Sequence, residues 1–118
     1  VKWKDASFRS PRWIENIPQT TLYKPAGIPA WSMELVELSL VELEAVRLAD
    51  LEGLTQEEAA GRMGISRRSF WKDLTMARKK IAYALSNGCA IQIIGGNIRL
   101  NRDGEDSPGP REGSEDRG

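Results

Sequence analysis

Gln56-Glu57-Glu58-Ala59-Ala60-Gly61-Arg62-Met63-Gly64-Ile65-Ser66-Arg67-Arg68-Ser69-Phe70 holds one helix, a tight turn and the start of a second helix. Thr55, just before it, forms with Glu58 the S/T-x-x-E capping box, in which each side chain satisfies a backbone N–H at the helix start. Ala59, Ala60 and Met63 supply the inner face of that helix, and Ala60 is small where two helices must approach closely. Gly64 follows where a positive φ is wanted, Ile65 inserts toward the core, and Ser66 caps the next helix. Phe70 plugs the angle between the two. Each requirement is steric, and together they give the layout of a helix-turn-helix.

Two further patterns extend this unit. The helix opened by Ser66 is expected to span residues 66–86, with Phe70, Leu74, Ala77, Ile81 and Leu85 as one buried stripe and Asn87-Gly88 as its C-cap signal. Upstream, Ser39 with Glu42 is a second capping box. Leu40, Leu43 and Val46, and less regularly Leu48 and Leu51, predict a helix to about Leu51, ended by Glu52-Gly53.

The flanks read as short extended pieces. Thr20 to Tyr23 is closed by Lys24-Pro25-Ala26-Gly27-Ile28-Pro29, where two prolines and a glycine force a turn. Ala90 to Ile94 and Ile98 to Leu100 surround Gly95-Gly96-Asn97 and resemble a small hairpin. A lone hairpin is marginal, so Thr20 to Tyr23 is the expected third partner, tying the two ends of the helical unit together. The expected fold is therefore mainly α: a three-helix core containing the helix-turn-helix, with a small winged-helix-like β element formed by the flanking segments. Residues 1–19 are expected as an N-terminal arm, residues 20–100 as the domain, and residues 101–118, rich in Gly, Pro, Ser and charge, as a disordered tail. Trp3, Trp13 and Trp31 are read as packing residues, and Cys89 as a small core or edge residue.

Composition narrows the chemistry. The chain has 118 residues, 17 basic and 17 acidic, for a formal net charge of +0. That length suits one small domain and argues against a multidomain enzyme. With one cysteine and no histidine, an internal disulfide, a zinc site and a histidine-based triad all lack their residues. No nucleophile–base pair or phosphate loop is evident, so neither an enzyme nor a cofactor or small-molecule substrate is expected. No apolar run approaches the roughly 20 residues that span a bilayer, and no export signal is recognisable. A cytoplasmic protein associated with the nucleoid, away from membranes, is the resulting expectation.

The zero sum conceals a segregation. Residues 34–58 hold eight acidic residues against Arg47, whereas residues 59–98 hold seven basic residues against Asp73. The acidic face from Glu34 to Glu44 reads as solvated, which would also keep that side off DNA. The basic block reads either as a solvated helix face or as an electrostatic footprint for phosphate.

Leu48-Ala49-Asp50-Leu51-Glu52-Gly53-Leu54-Thr55-Gln56-Glu57-Glu58-Ala59-Ala60, continuing to Ala77-Arg78-Lys79-Lys80, is similar to region 4 of sigma-70-type factors, which reads promoter DNA. Tyr23-Lys24-Pro25-Ala26-Gly27-Ile28-Pro29, Leu43-Glu44-Ala45-Val46-Arg47-Leu48-Ala49-Asp50-Leu51-Glu52-Gly53-Leu54 and Gly95-Gly96 together resemble the domain-of-unknown-function 134 family of predicted DNA-binding proteins. The resemblance spans about residues 11–98, and its members are assigned to DNA largely by this motif. Many members carry a cysteine pair, suggestive of a metal or redox site, in the stretch matching Pro11-Arg12-Trp13-Ile14-Glu15-Asn16-Ile17-Pro18, which here has none. Trp71-Lys72-Asp73 also departs from the family, whose members usually have a small, a basic and an apolar residue there. Asp73 is expected either to repel phosphate or to sit half-buried.

With the apolar stripe inward, a wheel of 100° per residue puts Arg68, Trp71, Lys72, Thr75 and Lys79 on the opposite face. Arg67, Arg68, Ser69, Trp71, Lys72 and Thr75 are the candidates for base edges, the two arginines because guanine O6 and N7 accept a bidentate guanidinium. Thr55, Gln56, Arg78, Lys79 and Lys80 are the candidates for phosphate. Against this stand blander roles: Arg67 and Arg68 pairing with Glu57 and Glu58, and the 78–80 cations simply favoured near a helix C-terminus. The expected protein is a sequence-specific binder of double-stranded DNA and a transcriptional regulator. An ordered part of about 75 residues makes a marginal core and favours a homodimer on a two-fold site. The alternative is a protein-interaction module that keeps the fold without binding DNA.

Overall fold

The structure, a computed structural model, describes residues 11–100. Local chemistry accounts for each helix boundary. Helix α1 (Leu40–Val46) starts at Ser39, whose hydroxyl accepts the Glu42 N–H while the Glu42 carboxylate accepts the Ser39 N–H, both at 3.0 Å. It runs into a wider π-type turn over Arg47–Leu51, closed by the Glu52 N–H donating to the Arg47 carbonyl at 2.8 Å. That widening turns Leu51 out to solvent, so it does not continue the expected stripe.

Helix α2 (Gln56–Met63) opens with the expected box between Thr55 and Glu58. It ends in a Schellman turn: the Gly64 N–H donates to the Gly61 carbonyl and the Ile65 N–H to the Ala60 carbonyl, with Gly64 at φ +72°. Ser66 then caps helix α3 (Arg67–Asn87) by accepting the Ser69 N–H at 3.1 Å.

Two small sheets flank the helices. Strands β1 (Arg12–Ile14), β2 (Leu22–Tyr23), β3 (Leu35–Leu38), β4 (Ala90–Ile93) and β5 (Ile98–Leu100) form a parallel β1–β5 pair and a β2–β4–β3 sheet. β4 pairs with β2, as expected for Thr20 to Tyr23, and the pair is antiparallel; its other neighbour, β3, runs parallel to it. The expected hairpin between 90–94 and 98–100 does not form. Both edges of β4 are occupied, and the Gly95 carbonyl accepts the Leu40 N–H at 3.0 Å, so the chain turns around the start of α1 and delivers β5 to β1.

This pairing brings β1, assigned above to the arm, inside the folded unit, with Ile14 fully buried. Trp3 and the tail 101–118 lie outside the described residues. Trp13 packs over the turn at Gly64, whereas Trp31 is 87% exposed and does not pack as expected.

The core has two centres. Val41, Ala45 and Leu48 meet Ala59, Ala60, Met63, Phe70 and Leu74 where the three helices converge. Farther along α3, Ala77 packs with Leu38 and Ile93, and Ala84 with Val36 and Cys89. The C-terminal half of α3 therefore faces the sheet as well as α1, whose Leu40, Leu43 and Val46 also pack on the Ala77 cluster. Its buried line turns accordingly, so that Ala84 is buried and Leu85 exposed. Cys89 is a small core residue, its thiol pKa pushed up by burial and by the neighbouring Glu34 charge.

Gly64 bears two constraints, its left-handed backbone and a site for Cβ only 2.9 Å from Trp13 Cδ1. Gly88 shares the first (φ +65°) but has nothing within 4 Å. Urea denaturation should therefore show Gly88→Ala costing about 1 kcal/mol and Gly64→Ala about 2–4 kcal/mol. Equal losses would contradict the contact with Trp13.

Candidate nucleic-acid interface

Helix α3 has sharply different sides. Phe70, Asp73, Leu74, Ala77, Lys80 and Ala84 are buried, while Arg67, Arg68, Trp71, Lys72, Thr75, Arg78 and Lys79 are exposed. On a helical wheel, Arg68, Lys72, Thr75 and Lys79 occupy the middle of the outer face, with Trp71, Arg67 and Arg78 along one flank. Ser69 is half-buried, and its hydroxyl lies 3.2 Å from that of Ser66. Asp73, the helix's one acidic residue, is 3% exposed and bonded to Arg12. The outer face thus carries five cations and no carboxylate of its own helix.

These cations differ in what they meet. Among the described residues no ion pair involves Arg67, Arg68, Lys72 or Lys79, and Arg67 and Arg68 do not pair with Glu57 or Glu58. Arg78 is held by Asp50 through Nη2–Oδ1 at 2.7 Å and Nε–Oδ2 at 3.2 Å. Lys80 is a correction to the phosphate set. It is 6% exposed, and its ammonium donates to Glu42 Oε1 and to the Glu37 carbonyl, each at 2.8 Å. Its position on the inner side of α3, one residue beyond the basic run's exposed edge, turns it into the interior.

Thr55 and Gln56 are exposed at the start of α2. The capping box already uses the Thr55 hydroxyl, the Thr55 N–H and the Glu58 N–H, and it places the Glu58 carboxylate at this helix end. An anion arriving there would compete with that carboxylate.

The acidic block is partly an internal scaffold. Glu42 and Glu44 are buried rather than solvated. Glu44 accepts the Glu15 N–H and two bonds from Arg47, and Arg47 also reaches Glu15 and Glu52. Bonding to Glu44, and secondarily to Glu15, raises the Arg47 pKa above its ordinary value. The Glu15 carboxylate is further engaged by Arg62 at 3.1 Å. The stretch 11–18 therefore does not fit a metal: it lacks cysteine and histidine, and its carboxylate is occupied by guanidinium groups.

The hydrogen bond from Arg78, opposed by a smaller desolvation effect, holds the Asp50 carboxyl below the ordinary aspartate range. A depressed carboxylate pKa stabilises the fold above its unfolded value and loses that contribution as pH falls through the folded value. Solvent screening keeps the contribution small, since the side chains are 47% and 44% exposed. A carbon-detected NMR titration of Asp50 should give a midpoint that rises in Arg78→Gln. An unmoved midpoint would mean that the pair does not persist in solution.

Residues 4–101 match the family described as Protein of unknown function DUF134, and the chain belongs to that family. It is 56% identical over 89 residues to a UPF0251 protein of Methanosarcina acetivorans, covering 75% of this chain and 80% of the relative. A UPF0251 protein of Desulforudis audaxviator is 58% identical over 87 residues, covering 74% of this chain and 57% of the relative. One from Caldanaerobacter subterraneus subsp. tengcongensis is 51% identical over 98 residues, covering 83% and 81%. The chain thus spans little more than half of one of these relatives and about four-fifths of the other two. No solved structure matches it significantly.

Proposed function

We propose that this member of the DUF134 family is a sequence-specific binder of double-stranded DNA that reads the major groove with the outer face of α3, acting as a transcriptional regulator without catalysis. The observation that carries the proposal is the contrast between the two sides of α3. Its interior charges are matched, Asp73 by Arg12 and Lys80 by Glu42, while Arg67, Arg68, Lys72 and Lys79 stand on the outside with no ion pair among the described residues. A row of like charges on one helix repels itself, and a polyanion relieves that repulsion. The capped helix α2, the left-handed turn at Gly64 and the capped helix α3 support the proposal, because a helix-turn-helix of this layout lays its second helix in the major groove.

In this account Arg67 and Arg68, in the first turn of α3, meet guanine edges, with Ser69, Lys72 and Thr75 following the groove. Trp71, 46% exposed, contacts a thymine methyl. Lys79 meets phosphate, and Arg78 does so once it leaves Asp50. Two copies on a two-fold site would double these contacts. Trp71 also motivates the second reading, a protein-interaction module, since a large aromatic on an exposed helix face suits a protein partner as well.

Titration of a labelled random duplex against salt tests the proposal. On a random duplex, where Arg67, Arg68, Lys72, Arg78 and Lys79 all meet phosphate, the log–log slope is near −4.5, roughly a 500-fold loss between 50 and 200 mM salt. Arg68→Ala should cost about 1–3 kcal/mol and relax preference at one base position, whereas Lys79→Ala should weaken all sequences alike. Asp50→Asn, which releases Arg78, should strengthen binding to any duplex about three- to tenfold. No binding at low salt would favour the interaction module, and salt-independent binding would contradict the proposed contacts.

A further inference from the structure

Major-groove readout requires α3 to present its outer face at one angle, and its inner side holds an arrangement suited to fixing that angle. Asp73 and Lys80 lie seven residues apart, two turns or about 10 Å along the axis, on the same side of α3. Both are buried. Asp73 accepts from Arg12 Nε of β1 at 3.0 Å, and Lys80 donates to Glu42 Oε1 of α1 at 2.8 Å. The signs are opposite and the partners come from different elements. A slide by one turn, or a rotation by one residue, would separate buried charges from their partners, an error that a core of Leu and Ala alone would penalise far less.

We propose that these two buried pairs are the register device of α3, and that Arg12 is a positioning residue that sets the orientation in which Arg67 and Arg68 meet DNA. The DNA part of this proposal rests on the function proposed above. Strand β1 and the Glu15 that follows it suit the task because consecutive residues grip different elements. Arg12 holds α3, Trp13 lies against the turn at Gly64, Ile14 fills the core, and Glu15 bonds to Glu44 of α1 and Arg62 of α2. Stability alone does not call for a buried ion pair here, since well-packed apolar side chains serve that purpose as well or better.

The test compares Arg12→Met with the double variant Arg12→Met/Asp73→Leu. The single variant removes the Arg12 guanidinium from the buried Asp73 carboxylate and should lower the denaturation midpoint, which the double variant should largely recover. Site discrimination is the ratio of affinities for a duplex selected from a random pool and for copies with one base pair changed. It should fall about tenfold in the double variant, while random-duplex affinity stays within about twofold. A stable double variant with wild-type discrimination overturns the proposal. If the wild-type protein binds no duplex, the DNA reading fails, and NMR residual dipolar couplings of the free proteins decide the register claim. A changed orientation of α3 relative to α1 in the double variant supports it, and an unchanged one overturns it. Should the double variant not fold, Arg12→Lys keeps the charge but not the geometry. It should lose discrimination about two- to threefold, and no change in discrimination or α3 orientation would overturn the proposal.

Discussion

Helix α3 carries a carboxylate and an ammonium into the interior, and ions of this kind cost several kcal/mol each to dehydrate unless they meet a partner there. Much of the remaining architecture follows from that demand. Arg12 must reach Asp73, so β1 must dock, and β1 can dock because β5 returns to pair with it after the turn at Gly95 and Gly96. Glu42 must reach Lys80, and the same Oε1 also accepts the Ser39 N–H that starts α1. One carboxylate therefore fixes both the beginning of α1 and the position of α3. Arg47 performs a related task at the other end of α1, bridging Glu44, Glu15 and Glu52 with one guanidinium.

Legibility in the sequence tracked the range of the forces involved. Capping boxes at Ser39 and Thr55, the cap at Ser66 and the left-handed turns at Gly64 and Gly88 depend on residues at most a few positions apart, and all could be read directly. The inner face of α2 was equally plain. Pairings across the chain were not. β1 lies 86 residues from its partner in register, and no local pattern marks Arg12-Trp13-Ile14 as a strand bound to Ile98-Arg99-Leu100. β3 had a weak signal, the alternation of buried Val36 and Leu38 with exposed Leu35 and Glu37, but the acidic character of the segment masked it.

The candidate interface shows the same division. The exposed positions Arg67, Arg68, Trp71, Lys72, Thr75 and Lys79 follow from helical geometry once Phe70 and Leu74 are inside. The status of the charged residues did not. Lys80 looked like part of a basic run, and only its tertiary partner Glu42 reveals that it belongs to the core. Asp73 looked like an obstacle to phosphate, yet its bond to Arg12 removes it from the surface. The segregation of charge along the chain therefore overstated both blocks: part of the acidic one and part of the basic one neutralise each other inside the molecule.

What remains outside is a basic face centred on Arg68, Lys72, Thr75 and Lys79, set on a helix whose angle is fixed from behind. Selection of bound duplexes from a random pool tests most directly whether that face reads DNA, with the Arg67→Ala/Arg68→Ala variant run in parallel. The wild-type protein should enrich a defined motif, and the variant, which keeps the fold because both side chains are exposed, should lose it. Absence of any enriched sequence with the wild-type protein, or the same motif recovered by the variant, would contradict DNA readout by that face.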